Sequence, residues 1–486
     1  MIFPSFSILL VFFCSINVRS LIIKKVAVVG GGNGGMAFAA ALKHMNPKGL
    51  EEVIVYEKRK SILQPSMGGG VQLSGGAFVL SKLGCSDVLH NNAERLKGIR
   101  SRNNNNEELL QLNLDNLVNT SPFASELLYN SNTKQPYLYS IMRDALQKIL
   151  YDACFKKNDN NTDKNKDKIK IRFATKKECK NVIENNDKIK LNFVDGSSED
   201  DFDIVIGADG VNSAVREACS GNEPLIPIPG LEPGNRYTGI RITFAVTEKD
   251  NDFKYRPTSG KGEFHQWFGD SCYALSASYG GLNGNIQHML ALVRTDEQDA
   301  KFGENVEWKE EEKKQMFKST ESIKTLTKQR LLQAGFNENH ELFTLLDGCS
   351  EDRFIDLGVK DRSIPLKKWS SDSNRVILLG DSAHAMAPFL GQGANQALQD
   401  AYVLAQGITD INNGLDSISN MVESYEKLRK FPTASLSFKS NFLGFVETLG
   451  GPLGGLIRDT FFRVMGTIGV AGFIFLDGAK PRINTK

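Results

Sequence analysis

Val26–Leu42 reads VAVVGGGNGGMAFAAAL. The apolar run Val26 to Val29 is a short buried strand, and Gly30, Gly32 and Gly35 follow it at GxGxxG spacing. An alanine-rich helix runs from Gly35 to His44. Glycines at this spacing permit a tight turn, close approach of a pyrophosphate to the backbone, and close packing of helix on strand. The amides at the helix start attract phosphate oxygens, and Ala39 keeps the helix near the sheet. A second strand, Val53 to Tyr56, ends at Glu57, 22 residues past Gly35, where an acid accepts hydrogen bonds from an adenosine ribose. Strand, turn, helix, strand and terminal acid together predict a Rossmann-like α/β fold for a dinucleotide.

Two segments further along share this design. In Asp203–Arg216, DIVIGADGVNSAVR, the buried strand Ile204 to Ile206 runs into Gly207-Ala208-Asp209-Gly210, with Ser213 and Arg216 beyond. In Arg375–Ala401, RVILLGDSAHAMAPFLGQGANQALQDA, the strand Val376 to Leu379 ends at Gly380-Asp381, and the loop Gly391 to Ala394 opens a helix. Asp381 can accept from polyol hydroxyls, and the amides of Gly393, Ala394 and Asn395 suit an electron-rich carbonyl edge. Asp209-Gly210 also fits an ordinary turn, Arg216 a helix charge, and His384 a packing role. Near-continuous apolar strands are those of a parallel sheet covered on both faces.

Between these motifs the pattern changes. A helix around Met142 to Asp152 precedes strands near Ile169 to Phe173 and Ile189 to Phe193. A strand-rich block, Tyr237 to Thr295, is followed by a charged helical region, Asn305 to Gly335. The α/β domain is thus interrupted by a β-rich substrate domain. The boundaries read as residues 21–95, 137–220 and 353–435 for the α/β domain, 96–136 and 221–352 for the substrate domain, and 436–486 for a C-terminal helical segment. In the strands RYTGIRITFAV (Arg236–Val246), GEFHQWFGD (Gly262–Asp270) and SCYALSASYGG (Ser271–Gly281), Arg241, His265, Trp267 and Tyr273 are pocket candidates. Plain core positions would look the same, and no catalytic residue is assigned.

Composition bounds the function. The 486 residues are 41% hydrophobic and 24% charged, which excludes a disordered, collagen-like or multispan membrane chain. With 59 basic and 57 acidic side chains the net charge is +2, too small for a nucleic-acid binder. The seven cysteines form no CxxC pair, so neither a disulfide scaffold nor a metal site is expected. The asparagine run 103–106 and KKNDNNTDKNKDK (Lys156–Lys168) read as solvated loop tips.

Residues 1–20, MIFPSFSILLVFFCSINVRS, have the layout of a cleavable signal peptide, with Val18 and Ser20 at the small-residue positions. This predicts entry into the secretory pathway, with the endoplasmic reticulum, secretion and a secondary plastid as open destinations. Asn119-Thr120-Ser121 and Asn160-Asn161-Thr162 would then be candidate glycan acceptors. The tail Phe442–Gly478 is apolar and glycine-rich, and its longest apolar run, Ile468 to Leu476, is too short to span a bilayer. It is expected to pack as a helical cap on the α/β domain. A cover over the substrate pocket or peripheral membrane contact are the alternatives.

The three motifs, in this order and spacing, resemble those of the class A flavoprotein monooxygenases, the family of para-hydroxybenzoate hydroxylase, salicylate hydroxylase and zeaxanthin epoxidase. The resemblance covers Lys24 to Phe431. GGGVQLSGGAFVLSKLG (Gly68–Gly84) looks like the family's segment beside the flavin, and SIMRDALQKIL (Ser140–Leu150) carries Arg143 where the family has a cofactor-contacting arginine. The resemblance implies that Gly30, Gly32, Gly35 and Glu57 hold the ADP half of FAD. Arg143, Asp209 and Gly210 would lie near the pyrophosphate and ribityl chain, Asp381 on the ribityl chain, and Pro388, Gly391, Gly393, Ala394 and Asn395 beside the ring. NAD(P)H would bind transiently, and dioxygen would hydroxylate or epoxidise an aromatic or polyene substrate through a flavin hydroperoxide. An FAD-binding reductase of geranylgeranyl-reductase type, or a flavin-binding protein without oxygenase turnover, is the alternative.

Overall fold

The computed structural model describes residues 22–63, 69–130, 135–155, 169–185, 187–219, 223–225, 236–247, 262–295, 322–362 and 365–484. The signal-peptide segment, the loop 156–168 with its glycan triplet, and residues 305–321 of the charged helical region lie outside them.

The apolar runs become a five-stranded parallel sheet in the order Val376–Leu378, Ile204–Gly207, Lys25–Val29, Glu52–Glu57 and Lys170–Thr175. Both faces are covered, so Val26, Ala27 and Val28 are fully buried, as are Val53 to Tyr56 and Ile204 to Ile206. The helix Asn33–Met45 buries Asn33 through Leu42 between this sheet and the helix Gly393–Asn412. Its alanines let three layers stack closely. The strand Lys188–Phe193 belongs elsewhere, in an antiparallel sheet with Cys179–Asn185 and Ser198–Phe202, two strands too polar to stand out in the sequence.

The β-rich block forms a second, larger sheet. Its main path runs Phe354–Asp361, Arg236–Val246, Ile286–Thr295, Cys272–Gly280, Glu263–Gly269, Gly98–Asn103 and Glu108–Asn113. Helices Ile323–Gln333 and Glu341–Asp347 cover one face around Trp267, Leu290 and Leu292. The other face looks toward the α/β domain, where Gly69 and Gly70 press against Phe244, Met289 and Tyr279. The asparagine run is only partly a solvated tip. Asn103 is buried, and its side chain accepts from the amides of Asn105 and Glu107.

The C-terminal segment departs from expectation twice. The helix Ile418–Glu447 runs through Pro432 for 30 residues, so the chain passes residue 435 without a break in secondary structure. The following helices, Gly451–Thr467 and Val470–Ala479, do more than cap the α/β domain, which they meet only at their end, where Ala479 approaches Gly75 and Gly478 approaches Gln392. They lie over the substrate sheet, with Phe462 packed 4.5 Å from Phe268 and Gly466 against Leu110. Gly466 and Gly472 sit where a Cβ would press into Leu110 and Leu117, so these glycines set the closeness of the approach. No single described helix is long and apolar enough to cross a membrane. These two pass the length and hydropathy test only together, and they are bent by 78°.

Candidate active site

Three loops leave the C-terminal ends of three neighbouring parallel strands, the edge at which open α/β sheets take ligands. In the first, Gly30 has φ +110° and a Cβ there would lie 2.2 Å from the Ala208 carbonyl oxygen; at Gly35 it would lie 2.0 Å from the Gly30 oxygen. Gly32 differs, since a Cβ there would meet nothing within 4 Å. The helix makes its first internal bond from the Met36 amide to the Gly32 carbonyl, 3.0 Å, so the preceding amides are open and no acid in the first turn opposes an anion. Asn33, 8% exposed, has both side-chain polar atoms without a partner. Orphaned buried polar atoms cost about 1–3 kcal/mol each, so this groove is built to receive polar atoms.

Glu57 stands at the end of its strand but is already engaged. Its carboxylate accepts from the Gly31 amide at 3.0 Å and from the Arg59 amide, Nε and Nη2 at 2.9, 2.9 and 3.1 Å. Burial pushes this carboxyl up, but the Arg59 and Gly31 donors outweigh it and hold the group below its ordinary value. Those four donors use the four acceptor positions of the carboxylate, so a ribose hydroxyl must displace an Arg59 contact. The sequence reading passed over Arg59. Arg143 is exposed at the start of its helix, with no ion pair among the described residues.

In the second loop Asp209 Oδ2 accepts from the Ala214 and Val215 amides at 2.7 and 3.3 Å, while buried Oδ1 has no partner. Burial pushes its carboxyl up against these bonds. Gly210 has φ +82° and open space beside it. Arg216 is no surface charge: its Nε donates to the Ser382 carbonyl at 2.8 Å and its Nη2 to Val211 at 2.9 Å, which ties the second loop to the third.

In the third loop Asp381 is exposed at the sheet edge, Pro388 begins a single 3-10 turn, and Gly391 has φ +63°. The helix from Gly393 makes its first internal bond at Gln396, which leaves the amides of Gly393, Ala394 and Asn395 open. The Asn395 side chain also clamps the segment after Gly70. Its Oδ1 accepts from the Ser74 and Gly76 amides at 2.8 and 3.0 Å, and its Nδ2 donates to the Gln72 carbonyl at 2.9 Å. Behind the loop, Asp400 joins His384 at 2.5 Å, the Gly380 amide at 2.9 Å and Arg429 Nε at 2.8 Å. Burial raises the Asp400 carboxyl, but His384 and the Arg429 guanidinium hold it well below its ordinary value.

The pocket candidates divide by strand parity. Arg241 pairs with Asp356 beside Arg294, and Trp267 stacks 5.3 Å from His265 and meets His340 at 5.2 Å. All three candidates, Arg241, His265 and Trp267, therefore face the helices Ile323–Gln333 and Glu341–Asp347, away from the α/β domain, and leave the pocket. Burial, then the charges of Arg102 and Arg100, push His265 down to about 4, so it is neutral there. Only Tyr273 faces inward, 6.5 Å from the Phe389 ring. On that face a cavity of about 200 Å³ opens between the sheet, the Phe389–Gln392 loop and the C-terminal helices. Its walls include Phe264, Leu275, Phe442, Phe461 and Phe475, with Gln266 and Glu447 among the polar residues. The C-terminal residues were invisible as site residues because they lie over 150 positions from the sheet strands they meet.

Comparison with known proteins agrees with this arrangement. The model of a family described as an FAD binding domain matches residues 24–329 and 358–435. A 3-amino-4-hydroxybenzoate 2-monooxygenase of Streptomyces platensis is 26% identical over 83% of this chain and 84% of its own length. The chloroplastic zeaxanthin epoxidase of Prunus armeniaca is 25% identical over 94% of this chain and 61% of its own length. In fold, the chain is similar to HpxO of Klebsiella pneumoniae complexed with FAD and uric acid, with a TM-score of 0.66, 19% identity and coverage of 94% and 97%. The open amides, the orphaned Asn33 and Asp209 atoms and the exposed Asp381 and Arg143 fit FAD. The chain belongs to the FAD-binding family of class A flavoprotein monooxygenases.

Proposed function

We propose that this FAD-dependent monooxygenase oxygenates a lipophilic aromatic or polyene molecule held in the cavity between the substrate sheet and the C-terminal helices. The observation that carries the reading is the aromatic wall of that cavity, which ends on the Phe389–Gln392 loop. Gly32, Asn33, Glu57 with Arg59, and Arg143 would hold the ADP half of FAD. Asp209, Gly210 and Asp381 would hold the middle of the cofactor, and Pro388 through Asn395 its ring. When bound, FAD supplies hydride acceptance from NAD(P)H and transfer of one atom of dioxygen to the substrate. The amides of Gly393, Ala394 and Asn395 stabilise negative charge at the ring edge. The C-terminal helices exclude water from the reacting centre.

The test is anaerobic reduction of the purified FAD-loaded protein by NADH and NADPH across phenols, indoles and carotenoids, followed by oxygen and mass analysis. Reduction accelerated by a compound whose product gains one oxygen atom supports the reading. Oxygen-independent reduction of an added alkene replaces it with the reductase alternative.

Two finer readings accompany this one. The exposed apolar face of the C-terminal helices supports peripheral contact with a lipid surface, from which a lipophilic substrate would enter. Residues 1–20 support secretory entry, tested by sequencing the mature amino terminus, which should begin near Leu21.

A further inference from the structure

Glu447 is the one acid among the described residues that line this largely apolar cavity, at the last turn of the helix Ile418–Glu447; the other polar side chains on the wall are Gln72, Ser101, Gln266, Gln392 and Lys439. Its side chain is 1% exposed. Gln266 Nε2 donates to Oε1 at 2.6 Å, and the Tyr273 hydroxyl bonds the same carboxyl. Oε2 is buried and has no hydrogen-bond partner. Gln266 is in turn fixed by Ser101, whose hydroxyl donates to its Oε1 at 2.9 Å. Among the described lining residues the only cation is Lys439, and it is paired with Asp477 at 2.5 Å. The charges on the neighbouring strands and helix are engaged with one another: Arg458 with Asp459 at 3.0 Å, Arg100 with Glu263 at 3.0 Å, Arg463 with Glu107 at 3.0 Å, and Arg102 with His265 at 2.9 Å.

We propose that Glu447, positioned by Gln266 and Tyr273, is the polar anchor of the substrate cavity and binds the single hydroxyl or carbonyl oxygen of an otherwise apolar, uncharged substrate. The proposal rests on the substrate-cavity reading above. Burial pushes the Glu447 carboxyl up to about 8, against the Gln266 and Tyr273 bonds, so at neutral pH it carries a proton. With Oε1 taken by the Gln266 amide, the proton belongs on Oε2, which no protein group engages and which is therefore left to donate to a ligand oxygen. A carboxylate substrate finds no unpaired cation there, so its charge loses hydration without an ion-pair partner, a cost that a neutral ketone or alcohol does not meet.

The experiment uses the full FAD-loaded protein and two probes of one ring system, 2-acetonaphthone, a neutral acceptor, and 2-naphthoate, an anion. Binding is read by equilibrium dialysis from pH 6 to 10. At pH 7 the ketone should bind at least tenfold more tightly than the carboxylate, and its affinity should fall as Glu447 ionises. Glu447→Gln keeps a donor, so it should retain ketone binding and abolish the pH dependence, while Glu447→Leu should lose at least tenfold in ketone affinity. The infrared spectrum should show a protonated-carboxyl band at pH 7 in the wild type that is missing in Glu447→Gln. Equal affinity for the two probes, an unchanged pH profile in Glu447→Gln, or absence of the band overturns the proposal. Because these readouts need no turnover, a failure of oxygen transfer is distinguishable from a failure of the anchor.

Discussion

Gly32 and Gly30 stand two residues apart and meet opposite surroundings, which separates cofactor binding from folding. A side chain at Gly30 collides with the Ala208 carbonyl at a left-handed φ, whereas Gly32 has φ −75° and open space beside it. Gly32→Val should therefore purify folded, with its melting temperature in the absence of FAD within a degree or two of the wild type, but without flavin absorbance. Gly30→Val should not accumulate as folded protein. Asp381→Ala should likewise fold and release FAD, since its exposed side chain makes no hydrogen bond or ion pair among the described residues; flavin retained at full occupancy by that variant would remove Asp381 from the site. Glu447 gives a pH prediction of known sign. A carboxyl raised by burial contributes stability that is whole below its unfolded value of 4.5 and is lost as pH rises through about 8. Wild type should lose melting temperature as pH rises from about 5 to about 8 and level off above that, and Glu447→Gln should lose less over the same window; identical slopes would place the ionisation elsewhere.

The strand-turn-helix units were legible because their requirements are local: backbone room at Gly30 and Gly35, open amides, and a strand that must be apolar on both faces. What joins those units was not legible. Asn395 reads as part of a helix start, yet its side chain holds the Gln72–Gly76 backbone more than 300 residues earlier in the chain. Asn395→Ala leaves the Ser74 and Gly76 amides without their acceptor, at about 1–3 kcal/mol each. The variant should melt earlier and bind FAD more weakly, and an unchanged flavin dissociation constant would argue against the clamp. Alternation in the substrate strands reveals that two faces exist without saying which one meets the cofactor. His265 and Tyr273 look equally suitable in sequence, but helices that follow the strands decide that His265 belongs to the covered face. Pro432 misleads in the opposite direction. A helix-interior proline costs about 3 kcal/mol, yet Arg429, one turn earlier, is locked to Asp400, Gln399 and Gln396 and to the Arg482 carbonyl, which holds the helix on both sides of it. Removing Arg429 leaves Oδ1 of the fully buried Asp400 without its partner while His384 and the Gly380 amide still hold Oδ2, so Arg429→Ala should cost roughly 3–5 kcal/mol in urea unfolding.

At the scale of the whole molecule, the apolar surface is unevenly placed. Phe431, Phe438, Phe442 and Phe445 are 51–81% exposed and lie within about 60° of one another at the 3.6-residue helical repeat. The next helix adds Leu453, Leu456 and Ile457, and among described residues 431–479 the only exposed charge is Arg463. Soluble monomers seldom leave so large a continuous apolar face in water. Phe438 and Phe442 belong both to this face and to the cavity wall, so the mouth of the substrate site opens onto it. A protein docked here would close that mouth, whereas a fluid lipid surface would feed it. The full protein should therefore float with vesicles of phosphatidylcholine and phosphatidylserine. Phe431→Ser combined with Leu453→Ser and Leu456→Ser touches no cavity residue and should keep FAD while losing at least tenfold in vesicle affinity, because each exposed side chain that enters an apolar phase contributes about 1.5–3 kcal/mol. If the wild type ignores vesicles and instead sediments as a dimer that the triple variant dissociates, the face is a contact between copies. Substrate would then have to reach Glu447 by another path.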